Sequence, residues 1–141
     1  MTSFSCGIII NYAELIRSEG LHFVSHFLEK TINSLDDKIN YICYDNACHL
    51  AGINEKLNDK IFVIDRFHLK NHKQSKCRTT HNCQTYPELG DLNTEICEQK
   101  FLHVSNLMHQ VKHMNKQRFN FFLLEFLNSA NTKETLKIKK K

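Results

Sequence analysis

Apolar residues along the chain fall into short runs and helical stripes. Residues 6–12, 39–44 and 60–64 are short apolar runs that predict strands. Between them, residues 21–34 carry apolar side chains at helical spacing, and residues 46–57 predict a shorter helix. A chain that alternates strand and helix in this way is typical of an α/β fold, in which helices flank a sheet of parallel strands.

This pattern breaks down between Lys70 and Asp91, where polar residues surround Cys77, Cys83 and the only proline. Such a segment has too few apolar residues to order itself by burial, so another interaction must hold it in place. Two helices are predicted after it, at about 93–113 and 116–130.

Composition and charge limit the range of functions. The 141 residues are 41% hydrophobic, which is enough for the core of one domain. We place this domain at 1–131, with residues 70–91 as a zinc-binding insertion. Residues 132–141 are expected to form a basic tail. A formal net charge of +4 modestly favours a polyanionic partner. No apolar run is long enough to span a membrane, so we expect an intracellular protein whose six cysteines are buried thiols or metal ligands rather than disulfides.

Two acidic residues are candidates for a magnesium site. Asp45 follows a predicted central strand, at the edge of the sheet where parallel folds place ligand-binding groups, and a carboxylate there can bind Mg²⁺. The alternative is that Asp45 or Asn46 only caps the next helix. Glu98 lies in the first turns of a predicted helix, where it could also serve only to offset the helix dipole, and Glu95 competes for its role.

Four residues around the polar segment have side chains that suit tetrahedral zinc: His68, His72, Cys77 and Cys83. His68 and His72 are four residues apart and would share one face of a helix. Cys48 and His81 are substitutes for one member of the set. The alternative is a histidine-rich, solvated segment with no metal.

Positive charge is concentrated in the same segment, at Lys70, Lys73, Lys76 and Arg78. Such a cluster suits the phosphate backbone of a nucleic acid. It could equally be an ordinary solvated surface, because the sequence shows no interleaved aromatic residues on which bases would stack.

Three motifs taken together resemble the Kyakuja-Dileera-Zisupton group of DNA transposases. They are residues 44–50 (YDNACHL), residues 65–72 (DRFHLKNH) with Cys77, and residues 93–99 (NTEICEQ). They occur in the expected order, and the resemblance covers the chain from about residue 5 to residue 131. The resemblance implies an RNase H-like fold with a Cys/His insertion before the C-terminal helices, and DNA as the partner in the nucleus.

The resemblance also implies a catalytic triad of two Asp and one Glu that binds two Mg²⁺ or Mn²⁺ ions for strand cleavage and transfer. Asp45 matches the second acid and Glu98 the last. The first acid has no counterpart, because no Asp precedes Asp36, and Asp36 and Asp37 are expected to lie in a loop. We therefore expect a truncated fold that is inactive by itself, whose incomplete sheet would need another copy or a partner at its edge. The alternative is a non-enzymatic, zinc-stabilised module that binds DNA or protein.

Overall fold

The computed structural model describes residues 1–14, 20–35 and 39–140, without the side chains of residues 108 and 109. Asp36 and Asp37, which were predicted to form a loop, lie outside the described residues. The chain forms two compact units, the first built from residues 1–12 and 95–141 and the second from residues 13–94.

Helices and short strands alternate along the described chain, so the mixed α/β class predicted from the sequence is confirmed. In chain order the elements are β1 (Thr2–Ser3), β2 (Ile9–Asn11), α1 (Leu21–Asn33), β3 (Tyr41–Cys43), α2 (Ala47–Leu50), β4 (Ile61–Val63), α3 (Arg66–Leu69), α4 (Ser75–Thr79), α5 (Ile96–Val111) and α6 (Lys116–Ile138). Short 3₁₀ turns occur at Glu55–Leu57, Cys83–Thr85 and Pro87–Leu89.

In the second unit, β3 and β4 pair in parallel, as their sequences predicted. Ile42 lies opposite Phe62 in the register, and both are buried. Ile64 continues the sheet beyond β4 through a parallel bridge to Asn82, and its backbone N–H donates to the carbonyl of His81 at 2.8 Å. The polar segment is thus joined to the sheet through the backbone.

The prediction that residues 6–12 form a parallel strand is wrong in its pairing. The observed strand β2 pairs with β1, and the pairing is antiparallel. A tight turn connects them, in which the N–H of Gly7 donates to the carbonyl of Phe4 at 2.9 Å, and Gly7 has φ of +87°, a value that favours glycine. Closing such a short loop costs little chain entropy, which favours the local partner over a distant parallel one.

The core of the second unit lies between the β3–β4 pair, α1 and α2. Its buried members are Ile42, Ala47, Cys48, Leu50, Leu57, Phe62, Ile64 and Cys77. The predicted apolar stripe of α1 packs against them through Leu21, Val24, Leu28 and Ile32. Two of the cysteines considered as zinc ligands, Cys48 and Cys77, are therefore part of the core itself.

The helix predicted at 46–57 is interrupted. Helix α2 ends at Leu50, and a separate 3₁₀ turn follows at Glu55–Leu57. Gly52 lies between them with φ of +85°, which a continuous α-helix does not allow. The backbone leaves the helix at Ala51, where ψ is 127°, and Gly52 completes the turn, while Leu57 still reaches the core.

In the first unit, Ile9, Leu123 and Leu127 form the buried centre of a second apolar cluster. The side chain of Asn131 pairs with the backbone of Ile9: the N–H of Ile9 donates to Oδ1 at 2.7 Å, and Nδ2 donates to the carbonyl at 2.8 Å. A side-chain amide thus satisfies both backbone groups of one residue of β2, as a neighbouring strand would.

Helix α6 extends further than its apolar stripe predicted. Residues 132–138, which were assigned to a basic tail, are helical. No proline or glycine interrupts them, and Glu134 pairs with Lys137 one turn later at 3.1 Å. Good helix-forming residues therefore continue the helix beyond the point where apolar periodicity ends.

Arg66 holds the C-terminal end of the polar segment in place. Its guanidinium group donates to the carbonyls of Leu92 at 3.1 Å, Leu89 at 2.8 Å and Gly90. We expect Arg66→Lys to destabilise the protein by roughly 1–2 kcal/mol, because a lysine ammonium cannot reproduce this planar fork of donors. Chemical denaturation measures the change. Arg78→Lys at an exposed arginine is the control, and an equal loss in both variants would contradict this role of Arg66.

Glu134 gives the first unit a pH-dependent contact. Hydrogen bonds from Lys100 at 2.5 Å and from Lys137 hold the pKa of the Glu134 carboxyl below its ordinary value of 4.5. Because the folded state has the lower pKa, this stability is present above about pH 4.5 and is lost as the pH falls through the lowered value.

We therefore expect Glu134→Gln to unfold at a lower temperature than the wild type at pH 7, by an amount equivalent to at most about 1 kcal/mol. The difference should shrink to nothing as thermal scans are repeated at progressively lower pH. Glu125→Gln on the same helix is the control, since Glu125 is exposed. A difference that stayed constant down to acid pH would show that the charge of Glu134 is not what matters.

Candidate metal centre

Three potential metal ligands converge in the second unit. The Sγ atoms of Cys48 and Cys77 and a ring nitrogen of His72 all lie within 4.8 Å of one another. Cys48 lies on α2, Cys77 on α4, and His72 in the turn after α3. Three separate short elements therefore each bring one side chain to the same point, beside the apolar core.

The two cysteines are almost completely buried, with 2% of Cys48 and 1% of Cys77 exposed, whereas His72 is half-buried. Burial raises the pKa of the Cys48 thiol, and its hydrogen bond with Cys77 raises it further. The ammonium group of Lys76 opposes this rise, and its Nζ donates to the backbone carbonyl of Cys48 at 3.3 Å. Cys48 is therefore a thiol in the metal-free protein, and a metal must displace its proton to bind.

The set of donors suits a soft or borderline cation. Two sulfurs and one imidazole are ligands that zinc binds readily, and a structural zinc site takes four such ligands in a tetrahedron. The distance between Cys48 Sγ and His72 Nδ1 is 3.4 Å, which is the length of a hydrogen bond to sulfur. His49 adds another imidazole, whose Nδ1 lies 3.5 Å from Cys48 Sγ. The cluster could therefore hold a metal ion such as zinc.

The other residues considered for zinc have different contacts. His68 Nδ1 pairs with Asp65 Oδ2 at 2.8 Å, and His81 Nδ1 donates to the carbonyl of Phe62 at 2.8 Å. Cys83 is buried in a separate apolar cluster with Val63 and Leu89. The structure thus brings His72 and Cys77 together with Cys48, which the sequence offered only as a substitute.

Asp65 is a buried acid to which the sequence analysis gave no role. Only 4% of it is exposed, and both of its oxygens are engaged by His68, Oδ1 with the backbone N–H at 2.9 Å and Oδ2 with Nδ1 at 2.8 Å. This double contact caps α3 and fixes the orientation of the His68 ring. An Asp three residues before a His at a helix start could have suggested the pair.

The two candidate catalytic acids are both exposed. Asp45 lies just beyond Tyr44, which follows the end of β3, and its Oδ1 accepts a hydrogen bond from the backbone N–H of Asn46 at 2.6 Å. This bond is local and leaves the carboxylate at the surface, and α2 has no side-chain cap hydrogen bond at its start, so the structure does not confirm the capping interpretation. Glu98 lies in the first turn of α5 and belongs to the first unit, whereas Asp45 belongs to the second.

Comparison with known proteins identifies the family. The model of the Kyakuja-Dileera-Zisupton transposases matches residues 2–131, and the chain therefore belongs to this family. No curated protein and no solved structure shows significant similarity to it. Among the described residues, no helix combines the length and the apolar character that crossing a membrane requires.

Replacing single cysteines separates the observed cluster from the set predicted by sequence. We expect the wild-type chain to bind one zinc ion, and Cys48→Ser or Cys77→Ser to lose it, because each removes a sulfur of the cluster. Cys83→Ser should lower stability, since Cys83 is fully buried, but should keep the metal. Elemental analysis of the purified proteins gives the zinc content, and thermal unfolding gives the stability.

Cys6→Ser, at an exposed cysteine, is the control for loss of any thiol and should change neither quantity. Adding a chelator to the wild type should remove roughly 3–4 kcal/mol of stability if free zinc exceeds its dissociation constant by two to three orders of magnitude. Loss of zinc from Cys83→Ser, with zinc retained by Cys48→Ser, would show that the metal uses the other set.

Proposed function

We propose that this chain is part of a transposase catalytic domain that acts on DNA, and that zinc bound by the Cys/His cluster stabilises it. The single observation that carries the proposal is the family match over residues 2–131. It is supported by the convergence of Cys48 with His72 and Cys77, the last two of which lie in the segment where a transposase of this family would carry its Cys/His insertion. The nucleus is the compartment that follows from a substrate of chromosomal DNA.

In this proposal Asp45 and Glu98 are the catalytic acids and would hold Mg²⁺ or Mn²⁺. Exposed carboxylates suit these ions, which prefer oxygen ligands and keep several waters. When bound, the ions supply charge stabilisation and an activated oxygen nucleophile for cleavage of a phosphodiester. The parallel order of β3, α2 and β4 agrees with part of an RNase H-like sheet.

We further propose that the chain does not cleave DNA by itself. Three carboxylates make up the site in the intact family, and only Asp45 and Glu98 have a match here. The third acid would have to come from a different chain that carries it, and such a partner could also extend the sheet. Two carboxylates can still bind one metal weakly, which makes binding without catalysis the expected behaviour.

A second function is favoured by a specific observation. In the second unit the Cys/His cluster is assembled among buried residues, whereas Asp45 makes its local hydrogen bond to the backbone of Asn46. A non-enzymatic module that binds DNA or protein would need only the cluster. Substitutions in the cluster would impair the binding of such a module, whereas substitutions of the candidate catalytic acids would not. An enzyme would instead lose its activity when the acids are replaced.

The test is a nicking and binding experiment with the zinc-loaded full chain and supercoiled plasmid DNA, in Mg²⁺ or Mn²⁺. We expect the wild type to retard the plasmid in a gel without nicking it. Asp45→Asn should bind equally well, and Cys77→Ser should bind poorly because the segment loses its metal. Glu55→Gln, at another exposed acid of the second unit, is the matched control for Asp45→Asn.

The outcomes are distinct. Nicking by the wild type that disappears in Asp45→Asn but not in Glu55→Gln would show that the site is active after all. Binding that survives in Asp45→Asn, with no nicking by any variant, favours the proposal and the module equally. Addition of a family member that carries the first acid then separates them: restored nicking that needs Asp45 supports the transposase fragment. A chain that neither binds nor nicks DNA would refute both functions.

A further inference from the structure

The segment from Arg66 to Pro87 contains no acidic residue. It carries five cations, Arg66, Lys70, Lys73, Lys76 and Arg78. The formal charge of the segment is therefore +5, compared with +4 for the whole chain. A second concentration of positive charge lies at the C-terminus, in residues 132–141 of the first unit, and the residues outside these two stretches are net acidic. A polyanion is the partner that such a distribution attracts most strongly.

Phe67 is a large apolar side chain exposed within this basic segment. Half of its surface, 50%, is accessible to solvent, although it lies on α3 between residues that pack inward. The ammonium group of Lys70 lies over its ring, 4.1 Å from the centroid, and the His68 ring meets it edge-on at 5.1 Å. The structure thus supplies the aromatic surface that the sequence did not reveal.

The elements around Phe67 hold it in a fixed position. Asp65 caps α3 by accepting the N–H of His68 at 2.9 Å, and Leu69 packs against the core cluster that contains Cys48 and Cys77. His72 follows within one turn and joins the metal cluster. A ring held in this way loses little conformational entropy when a ligand stacks on it.

The cations of the segment divide into two groups. Arg66 is committed to three backbone carbonyls, and Lys76 donates to the carbonyl of Cys48. Lys70 lies over the Phe67 ring, and Lys73 and Arg78 are exposed. These three supply charge at the surface of the basic segment, where it can meet phosphates.

We propose that Phe67 and Lys70 form a stacking platform for an unpaired base of single-stranded DNA, with Lys73 and Arg78 contacting its phosphates. This inference rests on the proposed DNA function and names the surface and the form of DNA. An aromatic ring stacks on any unpaired base with its flat face, whereas the bases of a duplex already stack on one another. The platform therefore favours a single strand, such as one exposed at the end of an opened duplex.

Fluorescence anisotropy tests the platform with the zinc-loaded full chain and a labelled single strand of mixed sequence. The same strand annealed to its complement is the duplex probe. The variants are Phe67→Ala, Phe67→Leu, which keeps apolar bulk without a flat ring, and Phe67→Tyr, which keeps the ring. Phe23→Ala is the matched control, because Phe23 is an exposed phenylalanine (44%) of the same unit outside the basic segment.

We expect Phe67→Ala and Phe67→Leu to weaken binding to the single strand by about 10-fold, within the range measured for base–aromatic stacking. Phe67→Tyr and Phe23→Ala should bind within about twofold of the wild type, and duplex binding should change little in any of them. Lys73→Ala should lower the slope of log affinity against log salt by about 0.7, the value for one phosphate contact with a single strand, whereas Phe67→Ala should leave the slope unchanged.

The platform and the proposed function fail in different ways. If the wild type binds both probes and Phe67→Ala and Phe67→Leu bind the single strand normally, the platform is refuted and the DNA function stands. If the wild type binds neither probe at low salt, the DNA function itself is refuted. Equal losses in Phe67→Leu and Phe67→Tyr would also overturn the platform, because they would show that the flat ring is not what binds. Thermal unfolding of each variant confirms that it is folded.

Discussion

The burial of Cys48 and Cys77 in one apolar core is the constraint on which the second unit depends. Both sulfurs contribute to the packing of α2 and α4 against the β3–β4 pair, and both lie within reach of His72. A metal at this point would join the core and the polar segment by bonds much stronger than apolar contacts, because metal binding in such a site is itself folding free energy. Without a metal, two buried thiols serve as small apolar side chains. The same residues thus contribute to the fold in either state, and a metal would further fix the polar segment at residues 70–91, whose Cys83 and Leu89 are already buried with Val63.

Periodicity predicted the elements that apolar contacts determine. Helix α1 and strands β3 and β4 occur where their patterns placed them, because in each case one face or the whole strand is buried. It failed where a local effect decided the outcome. A turn at Ala51 and Gly52, which uses the positive φ of the glycine, interrupts the helix predicted at 46–57, and the turn at Gly7 gives β2 an antiparallel neighbour. Neither effect changes the apolar pattern, so the pattern could not predict it.

The sequence predicted the types of ligand in the candidate metal centre but not which residues come together there. Counting cysteines and histidines along residues 68–83 indicated a Cys/His site, because these ligand types are scarce and cluster there. Spacing along the chain favoured Cys83 over Cys48, since Cys83 is nearer in sequence to Cys77. In the fold, α2 and α4 meet in the core and bring Cys48 close, while Cys83 packs against Val63 in another cluster. Proximity that arises from packing between distant segments cannot be read from local spacing. Asp65 is the opposite case, because its partner His68 is only three residues away and the sequence could have revealed the contact.

The absence of acids from Arg66 to Pro87 has two physical explanations, and the structure separates them. Cations near buried thiols favour the thiolate form that a metal needs, and Lys76 has this role, since it lies close enough to Cys48 to oppose the rise in its pKa. That explanation does not extend to Lys73 and Arg78, because exposed charges are screened by water and act weakly on a buried sulfur. Nor does it explain Lys70, whose ammonium lies over an aromatic ring rather than beside the cysteines. The positive charge of the segment therefore exceeds what the Cys/His cluster requires, and the excess lies at the surface, in the same stretch of sequence as the exposed ring of Phe67.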